Sequence, residues 1–210
     1  NKDQSYVLFS LDQQQLSRAL FPLGNMTKAE VRKTASSLNL KTKDKPESQE
    51  ICFVTGNSYS DLITERVGSE IGTGLLKDTS GNTLGTHDGI HNFTVGQRKG
   101  LGIAFGGPRY VVDIDPAQNT VTVGIADKLL RDTVTVSNVN WITIERLEKE
   151  LNSSVKIRYK GDDAPAVIYP LEDNRVRVVF KQPQRAITPG QAAVFYDGDI
   201  VVGGGWIERD

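Results

Sequence analysis

Cysteine is almost absent. Cys52 is the only one in 210 residues, so no disulfide can close within the chain and no cysteine-based metal cluster can assemble. Long apolar runs are missing too: Ile51 to Val54 is among the longest, far short of the roughly 20 residues that span a bilayer. No basic segment followed by an apolar stretch opens the chain, so secretion is not expected. Neither sign of charge is in excess: 25 Lys and Arg face 26 Asp and Glu, for a net charge of -1. That balance does not advertise a nucleic-acid binder, although affinity for phosphates depends more on how cations cluster than on their sum. Phosphate loops of the Walker, GxGxxG and Ser-Gly-Gly-x-Asp-Ser types are absent as well, so the chain carries no nucleotide site that can be read from its sequence. A hydrophobic content of 38% and a charged content of 24% are those of a folded globular protein rather than a disordered one. The expectation is a protein without membrane segments, cytoplasmic or organellar.

What is present falls into three stretches. Residues 1–55 read as helical, ending in a loop and a short strand. The chain opens on Asn1 rather than Met, with a strand-like run from Tyr6 to Phe9 almost at once, so a fragment or processed chain is expected. Asp12 with Gln15 has the form of a capping box for a helix through Leu16 and Ala19, stopped at Phe21-Pro22-Leu23-Gly24. Thr27 with Glu30 repeats the pattern, and Val31, Ala35 and Leu38 form a core-facing stripe before Asn39 ends the helix. A polar, Lys-rich loop then leads into Ile51-Cys52-Phe53-Val54. Residues 56–130 are short strands punctuated by glycine, at Thr73–Leu76, Thr83–Thr86 and Tyr110–Asp113. The last pairs with Thr120–Val123 across Asp115–Asn119. Residues 131–210 are strand and turn at the spacing of a small barrel, with strands at Val155–Tyr159, Ala166–Leu171, Arg175–Phe180, Ala192–Tyr196 and Ile200–Ile207.

Four features bear on chemistry. Cys52 is preceded by Lys43 and Lys45, which would raise its thiolate fraction if the loop folds back; a buried small hydrophobe is the alternative, and nothing local decides. His87 and His91 lie four apart, but without an accompanying carboxylate or thiolate pattern they read as turn or surface histidines, and no metal site is assigned. In Gly96-Gln97-Arg98-Lys99-Gly100-Leu101-Gly102, glycines flank two cations; a solvated turn is the first reading and a phosphate-contacting loop the second. Strand parity puts Val155, Ile157 and Tyr159 on one face and Lys156, Arg158 and Lys160 on the other, with Arg175 and Arg177 repeating the pattern on a neighbouring strand. Between 155 and 185 seven cations face four anions, a local balance of +3.

Lys2 to Tyr6, Lys45 to Phe53 (KPESQEICF) and Thr94 to Ile103 (TVGQRKGLGI) together resemble the tRNA 2-thiouridylase family. Ile157-Arg158-Tyr159, Thr188 to Ala192 and Gly203-Gly204-Gly205 follow in the order that family shows, so the resemblance covers essentially the whole chain. It implies a mainly β chain. Residues 1–55 would be the helical end of an α/β catalytic domain whose ATP-pyrophosphatase part is not included, 56–130 a small central β domain, and 131–210 a C-terminal β-barrel. It implies an enzyme that adenylates the C2 oxygen of the wobble uridine in tRNA and replaces it with sulfur. Cys52 would carry that sulfur as a persulfide. Lys2, Asp3, Gln4, Arg158, Tyr159 and Gln191 would contact tRNA. ATP and Mg would serve the full-length enzyme with no cofactor bound by this chain, and a persulfide-bearing protein would donate the sulfur. The second cysteine of that chemistry, which would form a transient disulfide, is not in this sequence, so the chain alone is expected to be inactive. A reading of another class, a stand-alone β-barrel RNA-binding module, is disfavoured by the retention of Cys52 in its Lys-flanked loop.

Overall fold

The computed structural model describes residues 4–44, 63, 66, 72–104 and 106–209. Lys2, Asp3 and Cys52, with the strand expected at Ile51–Val54, lie outside the described residues.

The chain is mainly β, as the sequence implies. Three short helices come first: α1 (Ser5–Leu8), α2 (Gln13–Arg18) and α3 (Lys28–Ser37). Both expected capping boxes are formed. Asp12 accepts from Gln15 N at 2.7 Å while the Gln15 side chain accepts from Asp12 N, and Thr27 and Glu30 do the same. Glu30 is held below the usual carboxylate range by these hydrogen bonds from Thr27. Two expectations fail here. The run from Tyr6 to Phe9 is a helical turn rather than a strand, because Tyr6 and Phe9, three apart, both bury on one face while Val7 stays exposed. The stripe Val31, Ala35, Leu38 does not face a core, since α3 holds no buried residue and Leu38 is 64% exposed.

A four-stranded sheet follows, in the order β2-β1-β4-β3. β1 (Gly74–Asp78) and β2 (Thr83–His87) form a hairpin, as do β3 (Tyr110–Asp115) and β4 (Thr120–Gly124). Both turns use the chemistry their sequences carry. Asp78 Oδ1 accepts from Ser80 N and Asn82 N, Asp115 Oδ1 accepts from Ala117 N and Gln118 N, and Asn119 takes the left-handed φ of 48°. What local pattern could not show is the parallel pairing of β1 with β4, with Leu76 opposite Val121. That pairing buries Leu76, Val111 and Val121 completely.

The remaining strands close a barrel in the order β10-β5-β8-β7-β6-β9. They are β5 (Leu130–Trp141), β6 (Leu151–Lys156), β7 (Ala164–Pro170), β8 (Val176–Arg185), β9 (Ala192–Asp197) and β10 (Ile200–Ile207). Val136, Val155, Ile168, Val178 and Phe195 fill its interior, each with at most 1% of its surface exposed. β6 ends earlier than expected. Its register with β7 sets Val155 opposite Ala164, so the chain must turn back in between, and Arg158 and Tyr159 sit in that turn rather than on a strand. The parity argument therefore does not reach them. Nor are the cations of β6 and β8 on neighbouring strands, because β7 lies between them.

Sheet and barrel meet through several contacts. The Arg185 guanidinium lies 4.8 Å from the centre of the Tyr110 ring, Arg209 pairs with Asp113 at 3.3 Å and donates to the Ile114 carbonyl, and Ala186 N donates to the Leu129 carbonyl at 2.8 Å. No helix of the described residues is long and apolar enough to cross a membrane.

Candidate nucleic-acid interface

The start of the described chain is fastened to the outside of the barrel. Tyr6 and Phe9 are 8% and 5% exposed, and they pack with Ala192, Val194 and Tyr196 of β9. Burying two such rings contributes about 1.5–3 kcal/mol each. Polar contacts fix the orientation. The Tyr6 hydroxyl donates to the Ala192 carbonyl at 2.8 Å, Asn140 Nδ2 donates to the carbonyls of Phe9 and Leu11 at 2.7 and 3.0 Å, and Gln13 Nε2 donates to the Ile142 carbonyl at 2.6 Å. Burial, aided by the neighbouring Tyr196, pushes the Tyr6 phenol up to about 12.

Three of the residues singled out in the sequence converge on Tyr6. Gln4, exposed, directly precedes α1 and is two residues from Tyr6. The Tyr159 ring stands edge-on to the Tyr6 ring at 6.1 Å. Gln191 immediately precedes Ala192, whose carbonyl takes the Tyr6 hydroxyl. Gln191 is itself unusual, because its side-chain Oε1 is buried without a hydrogen-bond partner among the described residues. An acceptor in that state costs about 1–3 kcal/mol unless something donates to it.

Arg158 behaves differently. It is exposed, but its guanidinium donates to the carbonyls of Arg185 and Ala186, the latter at 3.0 Å. Ala186 adopts a φ of 53°, rare for a residue with a Cβ, and two cationic N–H bonds onto the adjoining carbonyls help to hold it. The +3 cluster is also less uniform than it reads. Arg175 approaches Glu208 at 3.8 Å and Asp173 at 3.9 Å, and Arg177 lies over the Tyr169 ring at 5.6 Å.

His87 is neither a turn nor a surface residue. It ends β2, is 5% exposed, and accepts from Gly89 N at Nδ1, while Nε2 is buried without a hydrogen-bond partner among the described residues. Burial lowers its pKa below the usual imidazole value, the Asn119 carbonyl and Asp88 pulling more weakly the other way. No three His, Cys, Asp or Glu among the described residues could hold a metal ion together.

The residues that sequence reasoning missed are those that build this arrangement: Tyr6, Phe9 and Asn140. A signal was available in the i, i+3 spacing of Tyr6 and Phe9 and in the triple glycine. A Cβ on Gly204 would lie 2.8 Å from the Phe9 ring, so that glycine is what lets the ring sit on β10.

Three family models match along the chain. Residues 1–56 fit one described as a tRNA methyl transferase HUP domain, 60–125 a tRNA methyl transferase PRC-barrel domain, and 131–207 an aminomethyltransferase beta-barrel domain. The tRNA-specific 2-thiouridylase MnmA of Acetivibrio thermocellus is 54% identical over 207 residues, covering 99% of this chain and 58% of that protein. The tRNA-specific 2-thiouridylase MnmA 1 of a Thermoanaerobacter species is 54% identical over 209 residues, covering all of this chain and 57% of its own length. The MnmA of Halothermothrix orenii is 47% identical over 210 residues, with 59% of its length covered. The chain belongs to the tRNA-specific 2-thiouridylase family.

It spans less than three fifths of the length of these 2-thiouridylase relatives. Lys2, Asp3, Gln4 and Cys52 fall within the HUP match, and Arg158, Tyr159 and Gln191 within the barrel match. The contact of Tyr6 with Tyr159 therefore joins the first and last of the three matched regions of this chain.

Proposed function

We propose that this chain is part of a tRNA 2-thiouridylase that moves sulfur onto C2 of the wobble uridine in tRNA after ATP-dependent adenylation of the C2 oxygen. Cys52 carries the sulfur, and Lys2, Asp3, Gln4, Arg158, Tyr159 and Gln191 contact the anticodon stem-loop. The observation that carries the reading is the 54% identity, across essentially the whole chain, to proteins named tRNA-specific 2-thiouridylase. The convergence of Gln4, Tyr159 and Gln191 on Tyr6 supports it. So does the unpartnered Gln191 Oε1, an acceptor for a donor brought by a ligand.

The chemistry runs in two displacements. The outer sulfur of the Cys52 persulfide attacks C2 of the adenylated uridine, forming a C–S bond as AMP leaves with the former O2. A second thiolate, from outside this chain, then attacks Cys52 Sγ. The S–S bond breaks, its outer sulfur stays on C2, and Cys52 is left in a disulfide with the attacking thiol. Adenylation belongs to parts of the whole protein outside this chain, where ATP and Mg would act. The described residues offer no ligand cluster for the metal, and no step here is assigned to it. Residues 1–55 act as the closing end of the catalytic domain, 56–130 as the central domain and 131–210 as the barrel.

The test is sulfur uptake. Incubated with a low-molecular-weight persulfide, the chain gains the mass of one sulfur atom, and Cys52→Ser does not. A thiol that no reagent reaches in the folded chain overturns the sulfur-carrier role and leaves the RNA-binding module as the better reading.

A further inference from the structure

The two longest stretches of this chain without an acidic residue are 89–112 and 174–196, of 24 and 23 residues. The first holds Arg98, Lys99 and Arg109, and the second holds Arg175, Arg177, Lys181 and Arg185. They are far apart in sequence, yet the fold lays one against the other. A Cβ on Gly96 would sit 3.1 Å from the Ala186 methyl, and Arg185 covers the Tyr110 ring. Arg158 reaches the same place from the barrel, through its bonds to the carbonyls of Arg185 and Ala186.

The loop from Gly96 to Gly102 is built to be rigid. Gly96 N donates to the Val111 carbonyl at 2.7 Å, and Val111 N to the Gln97 carbonyl at 2.9 Å, which ties the loop to β3. The Gln97 side chain accepts from Thr94 N and donates to the Lys99 carbonyl, both at 2.9 Å, closing the turn from within. Gly100 and Gly102 take φ of 72°, and a Cβ on Gly102 would meet nothing within 4 Å, so backbone conformation rather than crowding calls for glycine there. Leu101 points into the core at 7% exposure. Arg98 and Lys99 are left exposed, with no hydrogen bond or ion pair among the described residues. Beside them opens a cleft of about 700 Å³ whose lining includes Gly100, Gly102 and Gly107 together with Arg98 and Arg109. Two exposed cations, Arg98 and Lys99, on a backbone held by its own hydrogen bonds and open to close approach at its glycines, suit phosphate oxygens. The positive charge continues onto Arg185, over the Tyr110 ring, and onto Arg158, an extended run of cations that fits a polyanion.

We propose that the Gly96–Gly102 loop is a second phosphate-binding element, in which Arg98 and Lys99 contact the backbone of the same RNA that the barrel residues touch. The proposal rests on the reading that this chain binds tRNA, and its test separates the two. tRNA affinity is titrated against salt for the wild-type chain, the neutral pair Arg98→Ala/Lys99→Ala, the charge-keeping pair Arg98→Lys/Lys99→Arg, and Arg158→Ala. The neutral pair lowers the log–log slope by roughly two, so affinity changes about tenfold less between about 50 and 200 mM salt. The charge-keeping pair keeps the wild-type slope. If Arg158→Ala lowers the slope and the neutral pair does not, the loop proposal falls while tRNA binding stands. Equal loss in both pairs shows that the loop acts through the fold, which also overturns it. A wild-type chain whose tRNA binding does not depend on salt overturns both readings.

Discussion

The Tyr6 hydroxyl donates a 2.8 Å hydrogen bond to the carbonyl of Ala192, 186 residues further along the chain. Around that bond stand Gln4, Tyr159 and Gln191, so one phenol joins the two ends of the chain where the candidate RNA contacts gather. Tyr6 is the positioning residue for them.

Tyr6→Phe keeps the ring and removes the bond, leaving the Ala192 carbonyl unpaired in a buried place. A loss of about 1–3 kcal/mol in unfolding free energy is expected. The pH dependence carries a clearer signature. The folded-state pKa of Tyr6 lies at about 12, above the ordinary phenol value of about 10, so its contribution is complete below pH 10 and is lost as pH rises toward 12. The difference between wild type and Tyr6→Phe isolates this one group. Parallel alkaline stability curves for the two proteins would sink the assignment.

Gly204→Ala places a methyl group 2.8 Å from both the Phe9 ring and the Ala193 carbonyl. The ring can move; the strand carbonyl cannot without breaking its register with β10. Destabilisation by about 1–3 kcal/mol in urea unfolding is expected. Phe9→Ala alone costs about 3–5 kcal/mol. The double variant is less destabilised than the two losses added together, because the ring half of the clash is gone. Strict additivity would mean that Phe9 does not sit on Gly204 in solution.

Arg158→Ala separates a phosphate contact from a structural clamp. As a phosphate contact it lowers the salt slope of tRNA binding by about one and weakens all tRNAs alike. As a clamp on the 185–186 carbonyls only, it lowers the unfolding free energy and leaves tRNA affinity alone. Gln4→Ala carries no charge change, so the slope stays and discrimination at the wobble base suffers in the full-length enzyme. A slope that moves with Gln4→Ala and not with Arg158→Ala reverses the two assignments.

The sequence by itself determined everything that depends on neighbours a few residues apart. Both capping boxes, the Asp78 and Asp115 turns and the two hairpins follow from side chains that satisfy the backbone locally. The family was legible too, because its motifs are short and contiguous. What failed were statements about faces and partners. Strand parity was carried to Arg158 and Tyr159, but where β6 ends is set by its register with β7, and that register depends on barrel closure. The run from Tyr6 to Phe9 has strand-forming residues, yet it is a helical turn because a barrel face built from residues 192–206 offers two rings a place to bury. The parallel pairing of β1 with β4, the burial of His87 and the meeting of the two acid-free stretches have the same origin. Each joins segments whose separation in sequence carries no periodic signal, and only the packing of sheet against barrel brings them together.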